Sequence, residues 1–310
     1  MGSRLVLGVL LLASACSARL KDGETADAPN GVPDSRGSDG PGHIDAAIDA
    51  YVFGPFGTPS PVTGAADSAL NIDDETLNST MTELYFAEVD PAITGTPKQL
   101  WWMTRPTAAD PWGTPALMDS TFNATGTTVP QEESPRLSPD DLTIYFGRAG
   151  EIYYATRGAV GGPWSSPQPM TAVNTAGYEK WLAVCNGGYY LVARNTGSGT
   201  ATHLYEGQLG NGDTLSSLSG TVGNDISSYL SADCSLGYFA SNRSGTTQIY
   251  TATRSGGGGT WSAVTELETD LGTAADNEDA WLSPDGHTIY FATERFGGTN
   301  TNKGIYMATR

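Results

Sequence analysis

The chain is built on one repeated unit, whose clearest copy reads Glu133-Ser-Pro-Arg-Leu-Ser-Pro-Asp-Asp-Leu-Thr-Ile-Tyr-Phe146, then Gly150-Glu-Ile-Tyr-Tyr-Ala-Thr-Arg157, then Gly162-Pro-Trp-Ser-Ser-Pro-Gln-Pro-Met170. A second copy reads Asp279-Ala-Trp-Leu-Ser-Pro-Asp-Gly-His-Thr-Ile-Tyr-Phe291, then Gly304-Ile-Tyr-Met-Ala-Thr-Arg310. Short runs that alternate apolar and polar residues are separated by Pro-Asp or Asp-Gly, which favour turns. The unit therefore predicts short strands joined by tight turns.

Five copies of the unit follow one another. An equivalent aromatic residue recurs in each, at Tyr85, Tyr145, Tyr190, Tyr238 and Tyr290, and subtraction gives intervals of 60, 45, 48 and 52 residues. Repeats of about 40 to 50 residues with four short strands each are typical of propeller blades. The sequence predicts an all-β chain with a single five-bladed β-propeller of four-stranded blades over residues 53–310.

The two ends of the repeat region complement each other. The last copy stops at Arg310, after its third strand, and so lacks a fourth. The segment Pro55-Phe-Gly-Thr-Pro-Ser-Pro-Val62 resembles the fourth-strand segment Pro111-Trp-Gly-Thr-Pro-Ala-Leu-Met118. We therefore expect the N-terminal strand to complete the C-terminal blade, which would leave the ring without an open edge.

The repeat resembles the TolB-type propeller repeat, which many bacterial envelope proteins contain. Residues 137–146 and 282–291 carry the resemblance most plainly, and it extends over about residues 55–310. The resemblance implies a propeller fold, an envelope location and structural roles for the repeat residues. It implies binding or scaffolding only loosely, because propellers have many unrelated functions.

The first 52 residues predict export and anchoring. Residues 1–15 have the basic start, short apolar core and small-residue end of a signal peptide, and they lead into Cys16. A small-residue run before a cysteine resembles the bacterial lipobox, although Ala13 stands where Leu is usual; the alternative is an ordinary signal peptide cut near Ala15. We expect a lipid on Cys16, an Asp/Gly/Pro-rich tether over residues 16–52, and a cell-envelope location, in the outer membrane or facing the periplasm.

The net charge bears on possible partners, and the cysteine content bears on whether the mature chain contains a disulfide. The net charge of −18 disfavours nucleic acid, because phosphate groups would be repelled. Cys185 and Cys234 remain once Cys16 is lipidated, and the repeat places both at nearly the same turn of neighbouring blades. They are either a disulfide in an oxidising compartment or two separate buried thiols.

Known catalytic motifs do not occur in the sequence. It has no Gly-x-Ser-x-Gly and no His-Glu-x-x-His, and none of its three histidines has another histidine or a cysteine at i+3 or i+4, so we predict no catalytic residue, metal or other cofactor. Charged and aromatic residues do recur at the start of each predicted innermost strand, where they would line the channel mouth. These candidate ligand-binding residues are Glu133, Arg136, Glu179, Lys180, Trp181, Asp225, Tyr229, Glu278, Asp279 and Trp281.

Two functions are compatible with this pattern. The first is a non-enzymatic envelope lipoprotein whose propeller binds an envelope protein or a glycan. The second is a secreted glycan-active enzyme that uses channel carboxylates such as Glu133, Glu179 and Asp279, since a pair of carboxylates can hydrolyse glycosides. We favour the first, because the acids occupy repeated positions, whereas catalytic groups usually break a repeat's symmetry.

Overall fold

Twenty strands form five four-stranded antiparallel sheets in the part of the chain that the structure, a computed structural model, describes. The described residues are 54–65, 71–89, 93, 95, 97–125, 129–197, 201–267, 271, 275–294 and 303–310. The signal peptide of residues 1–15, the lipid site Cys16 and the tether of residues 16–52 lie outside them. No helix among the described residues is long and apolar enough to span a bilayer.

Each sheet is one propeller blade, and its first strand lies innermost. Blade 5 takes its fourth strand from β1 (Ser60–Pro61). Blade 1 contains β2 (Ile72–Leu77), β3 (Glu83–Val89), β4 (Lys98–Thr104) and β5 (Ala116–Leu117). Blade 2 contains β6 (Glu132–Leu137), β7 (Thr143–Arg148), β8 (Glu151–Thr156) and β9 (Gln168–Pro169). Blade 3 contains β10 (Tyr178–Val184), a 3-10 turn (Asn186–Gly188), β11 (Tyr189–Asn195), β12 (His203–Gln208) and β13 (Asp213–Leu215). Blade 4 contains β14 (Asp225–Leu230), β15 (Leu236–Ser241), β16 (Gln248–Thr253) and β17 (Thr265–Glu266); blade 5 adds β18 (Asn277–Leu282), β19 (Thr288–Thr293) and β20 (Gly304–Thr309).

The ring closes through the N-terminal strand, as the sequence predicts. Strand β1 pairs antiparallel with β20, and the amide of Val62 donates to the carbonyl of Ile305 at 2.9 Å. The innermost strands β2, β6, β10, β14 and β18 contact one another in that order and back to β2. The prediction of five four-stranded blades is therefore confirmed.

The apolar core lies between the blades. In the Thr-Ile-Tyr-Phe strand of blade 2, Ile144 and Phe146 pack toward blade 1, while Tyr145 packs toward blade 3. Both faces of a middle strand are thus buried, and the alternation of side chains assigns each residue to one of two neighbouring interfaces.

The Thr-Arg end of the third strand packs against the fourth-strand segment of the same blade. Each of four arginines stacks on an aromatic ring of that segment, at 4.0 to 4.3 Å from the ring centroid; the pairs are Arg105 on Trp112, Arg157 on Trp164, Arg254 on Trp261 and Arg310 on Phe56. Such cation–π contacts explain why the repeat keeps both Arg and Trp. Blade 3 has Leu209 at this position, which accounts for its weak repeat signal.

The turn after each innermost strand is stabilised locally. In the Ser-Pro-Asp turns, the hydroxyl of Ser138 donates to Asp140 at 2.5 Å, and that of Ser283 donates to Asp285 at 2.5 Å. A disulfide links Cys185 to Cys234, with 5.4 Å between their Cα atoms, and joins this turn in blade 3 to its counterpart in blade 4.

Candidate functional site

All five innermost strands carry a β-bulge at the same place. The strand register shifts there, and a residue other than glycine takes a positive φ of 50° to 62°; these residues are Asp74, Ser134, Trp181, Ser227 and Asp279. This left-handed conformation is costly for a side chain, and bulges often re-aim side chains near functional sites. The repeated bulge therefore marks the channel as the candidate site.

Asp74 is the centre at which these side chains meet. Its Oδ1 accepts hydrogen bonds from Nε1 of Trp181 at 2.6 Å and from the hydroxyl of Ser134 at 3.3 Å. Its backbone amide donates to Oδ2 of Asp279 at 3.2 Å. Because blades 1 and 3 are not neighbours in the ring, the bond between Trp181 and Asp74 crosses the channel.

Three more carboxyl groups adjoin Asp74. Oxygen atoms of Asp73, Glu278 and Asp279 all lie within 4.8 Å of one another, and all three residues are buried. Glu75 is fully buried beside them, and neither of its carboxyl oxygens has a hydrogen-bond partner among the described residues. The acids are concentrated in blades 1 and 5 and so break the five-fold repeat.

Lysine side chains lie between the acids and solvent. Nζ of Lys98 donates to Asp73 at 2.5 Å and to Asp74 at 3.3 Å, and Lys303 is paired with Glu278. These two lysine side chains are 15% and 14% exposed, whereas the carboxyl groups beneath them are almost completely covered. The outer surface of the cluster is therefore formed by ammonium groups and their aliphatic stems.

Arg136 fills the channel below the acids. Its Nη1 donates to the carbonyl of Glu75 at 2.6 Å, and its Nε donates to the carbonyl of Ser228 at 3.4 Å on the opposite side. Nη2 lies 3.8 Å from Oδ1 of Asp279. The side chain thus contacts blades 1, 4 and 5 from its own position in blade 2.

The environment separates the pKa values of these acids. Burial raises the pKa of Asp73 to about 7, even though Lys98 opposes the shift. Burial raises the pKa of Glu75 well above its usual range, and the charge of Asp279 adds to this shift. Burial likewise raises the pKa of Asp279 well above its usual range, and the charge of Asp74 adds to it. Burial also acts on Asp74, but Lys98, Lys180 and Arg136 together hold its pKa below the usual range. An ionised Asp74 is therefore surrounded by carboxyl groups that favour the protonated form.

An aromatic recess opens beside this cluster. Tyr178 is 41% exposed, Trp181 is half-buried, and Nζ of Lys180 lies 5.2 Å from the centroid of each ring. Lys180 also pairs with Glu133 at 2.7 Å, and the Tyr178 hydroxyl donates to the same carboxylate at 3.1 Å. The recess has a volume of about 520 Å³ and is completed by small and polar residues at positions 176–177, 193, 195–197 and 202.

Gly150 makes room for Tyr178. A Cβ atom on Gly150 would lie 2.4 Å from the tyrosine ring, and the residue has a φ of +87° that favours glycine. The exposed ring therefore packs against the backbone of blade 2.

The structure brings together only part of the residues that the sequence singles out. Glu133, Lys180, Trp181, Glu278 and Asp279 meet at one mouth, with Arg136 beneath them. Tyr229 and Trp281 line a separate cavity of about 280 Å³ at the other end of the channel, with Arg136 between the two.

Glu179 and Asp225 do not reach the channel. Glu179 pairs with Arg194 at 2.8 Å and Asp225 with Arg243 at 2.6 Å, each inside its own blade. The reason is the side-chain alternation of a strand, since Glu179 is equivalent to Glu132 rather than to Glu133. The acids that the sequence analysis groups at one repeated position therefore occupy two positions with different directions.

The sequence analysis misses Asp73, Asp74, Glu75, Lys98 and Lys303. A signal is present, because Ile72-Asp-Asp-Glu-Thr-Leu77 has the same length and final leucine as Asn277-Glu-Asp-Ala-Trp-Leu282. The first segment is followed by Asn-Ser-Thr instead of Ser-Pro-Asp, which hides its equivalence. The two lysines lie at the start of the third strands of blades 1 and 5, where the repeat has no distinctive motif.

No protein-family model matches the sequence, and no curated protein matches it. Solved structures do match. A thermostable family-43 glycoside hydrolase has a TM-score of 0.54 at 14% identity, over 81% of this chain and 91% of that one. The catalytic domain of the Coprinopsis cinerea GH62 alpha-L-arabinofuranosidase has a TM-score of 0.52 at 12% identity, over 82% and 96%. TolB from Acinetobacter baumannii has a TM-score of 0.43 at 14% identity, over 79% of this chain and 56% of that one. At these identities the similarity shows the five-bladed propeller fold alone.

Proposed function

We propose that this protein is a non-enzymatic lipoprotein of the cell envelope whose propeller binds a glycan in the recess formed by Tyr178, Lys180 and Trp181. The observation that carries the proposal is the exposed ring of Tyr178, which packs against blade 2 beside the half-buried ring of Trp181 in the recess. The volume of about 520 Å³ is in the range of small-molecule sites, which suits one or two sugar rings. Aromatic faces supply apolar contact to the C–H side of a sugar, while nearby amides and hydroxyls bind its rim.

Binding suits this mouth better than hydrolysis does, because of how the carboxyl groups are placed. Asp73, Asp74 and Asp279 are each no more than 2% exposed, and Lys98 and Trp181 cover them. A glycosidase needs two carboxyl groups at the scissile bond, about 5 to 9.5 Å apart. A ligand in the recess would touch Tyr178, Lys180 and Trp181 instead.

The separated pKa values nevertheless favour glycoside hydrolysis as a second candidate function. An ionised Asp74 beside a protonated Asp279 is the kind of pair that general acid–base chemistry uses. For this function Lys98 and Trp181 would have to move away from Asp74 when substrate binds. Turnover of a glycan by the wild-type chain, abolished by Asp74→Asn, would replace our proposal with this one.

Replacing Tyr178 by alanine is expected to weaken glycan binding by about ten-fold or more, because the ring supplies the largest exposed contact. The mature chain is first applied to a glycan array, and affinities for the best ligand are then measured by calorimetry. Tyr154→Ala is the matched control, since it removes a half-buried tyrosine of blade 2 that lies outside the recess. Equal losses in both variants, or binding only to an envelope protein and to no glycan, would contradict the proposal.

The lipid part of the proposal rests on Cys16 and the resemblance to envelope propellers. Cys16→Ser is expected to shift most of the protein from the membrane fraction to the soluble fraction, because the acylated thiol would be lost. Immunoblots of the two fractions measure the shift, and Ser17→Ala serves as the control that keeps Cys16. If Cys16→Ser stays with the membrane, the anchor is not a lipid at this residue.

A further inference from the structure

The charges around Asp74 do not balance. Five carboxyl groups belong to Asp73, Asp74, Glu75, Glu278 and Asp279, and the cationic groups beside them are Lys98, Lys303 and Arg136. Lys180 also acts on Asp74, but it is paired with Glu133, and these two opposite charges cancel. Subtracting three positive from five negative charges leaves −2 when every group is ionised. Burying an unbalanced charge of this size is costly, so the site needs either protons or another cation.

Three buried carboxyl oxygens of the site also accept no hydrogen bond from the described residues, although Nη2 of Arg136 lies 3.8 Å from one of them, Oδ1 of Asp279. Oδ1 of Asp279 has no hydrogen bond among the described residues, and neither has either carboxyl oxygen of Glu75, although both side chains are fully buried. Buried oxygens of this kind usually have a donor or a metal ion beside them. The carboxyl groups of Glu75 and Asp279 act on each other, since among charged groups Asp279 has the largest effect on the pKa of Glu75.

We propose that Asp73, Glu278 and Asp279 form a binding site for a hard divalent cation such as Ca²⁺. One oxygen from each residue is available within a common sphere, because the three atoms lie within 4.8 Å of one another. Two oxygens can contact one ion only if they are no farther apart than twice the metal–oxygen distance. That limit is about 4.6 to 5.2 Å for Ca²⁺ and about 4.0 to 4.2 Å for Mg²⁺. The separations, which are at most 4.8 Å, suit Ca²⁺ and do not by themselves exclude Mg²⁺.

The chemistry of the ligands also selects the ion. All three are carboxylates, which suit Ca²⁺, Mg²⁺ and Mn²⁺ rather than the metals that imidazole or thiolate ligands prefer. The two strands that supply them, β2 and β18, are neighbours across the junction between the first and last blades. A bound cation would therefore cross-link the point at which the ring closes, and it would do so independently of the glycan recess.

Lys98 and Lys303 are the competitors of such an ion. Each is hydrogen-bonded to one of the outer ligands, Asp73 and Glu278 respectively. Removing one of these ammonium groups should free a carboxylate oxygen and lower the local positive charge. The site proposal therefore predicts that Lys303→Met binds the ion more tightly, by about ten-fold, which a purely structural acid cluster would not do.

The test uses the whole chain after treatment with EDTA and removal of the chelator. Calorimetric titration with CaCl₂ should show binding, and a free Ca²⁺ concentration about 100 times Kd should raise Tm by about 5 to 10 °C. Asp279→Asn and Glu278→Gln should each weaken binding by about 100-fold or more. Asp285→Asn, which alters an exposed turn carboxylate beyond the far end of β18, should leave the affinity unchanged.

Three results would overturn the proposal. One is the lack of any heat or Tm shift in the wild-type chain with Ca²⁺, Mg²⁺ or Mn²⁺. Another is a Ca²⁺-induced rise in Tm that is as large in Glu278→Gln or Asp279→Asn as it is in the wild-type chain. The third is a Lys303→Met variant that folds and binds Ca²⁺ no better than the wild type. If Asp279→Asn does not fold, Glu278→Gln still decides the matter, because Glu278 is the most exposed of the three ligands at 7%.

Discussion

A chain that lacks residues 54–62 is expected to lose cooperative folding, because the fourth strand of blade 5 would be missing. The deletion removes β1 and two buried anchors, Phe56 and Val62, which are 3% and 2% exposed. Loss of two such side chains costs about 5 kcal/mol or more, which is comparable to the whole stability of many domains. It also exposes the edge of β20 to solvent, where it could pair with another chain.

Urea unfolding followed by tryptophan fluorescence measures the effect of the deletion, and size-exclusion chromatography reports aggregation through the open edge. The control is a chain that lacks residues 17–53 but keeps 54–62, and it should retain the unfolding midpoint of the full chain. Phe56→Ala tests a single anchor, with an expected cost of about 3 to 5 kcal/mol. A deletion variant as stable as the control would show that β1 does not hold the ring closed.

Arg157→Met is expected to lower the free energy of unfolding by about 3 to 5 kcal/mol, because it leaves the carboxylate of Glu83 buried without its partner. Nη1 and Nη2 of Arg157 donate to the two oxygens of Glu83 at 3.0 and 2.6 Å. The two side chains, 1% and 6% exposed, join blade 2 to blade 1. Chemical denaturation of the purified variant measures the loss.

Arg105→Met is the matched control for Arg157→Met. Arg105 stacks on Trp112 as Arg157 stacks on Trp164, but its inter-blade partner is the neutral hydroxyl of Tyr290 at 3.2 Å. Because Arg105→Met leaves no buried charge without a partner, it should lower the free energy of unfolding by only about 1 to 2 kcal/mol. Adding Glu83→Gln to Arg157→Met should recover at least about 1 kcal/mol. Equal losses for both arginine variants, with no recovery, would mean that stacking alone holds these residues.

The repeat was enough to predict the fold, because each part of it performs a local structural task. The Ser-Pro-Asp segment forms a turn, the alternating strand supplies both blade interfaces, and in four of the five units an arginine stacks on an aromatic ring. The closing strand was also predictable, since Pro55-Phe-Gly-Thr-Pro59 has the composition of the other fourth-strand segments. These tasks depend on residue type and spacing alone.

The site was less predictable, because side-chain direction in the channel depends on the bulge. At the bulge the backbone takes a positive φ, and residues adjacent in sequence then serve different purposes. Glu132 pairs with Arg148 inside its blade, whereas Glu133 pairs with Lys180 across a blade boundary. Spacing by itself could not separate these two positions, and it could not reveal that blades 1 and 5 hold most of the acids.

The same bulge restricts which residues can face the channel during evolution. Valine, isoleucine and threonine are strongly disfavoured at positive φ, while glycine, asparagine and aspartate tolerate it best. Four of the five bulge residues are Asp or Ser, and Trp181 is the exception. We therefore expect small polar residues to be tolerated best at these five positions, which would keep the channel hydrophilic. New ligand preferences in this architecture can thus arise through a few point substitutions on a backbone whose course does not change.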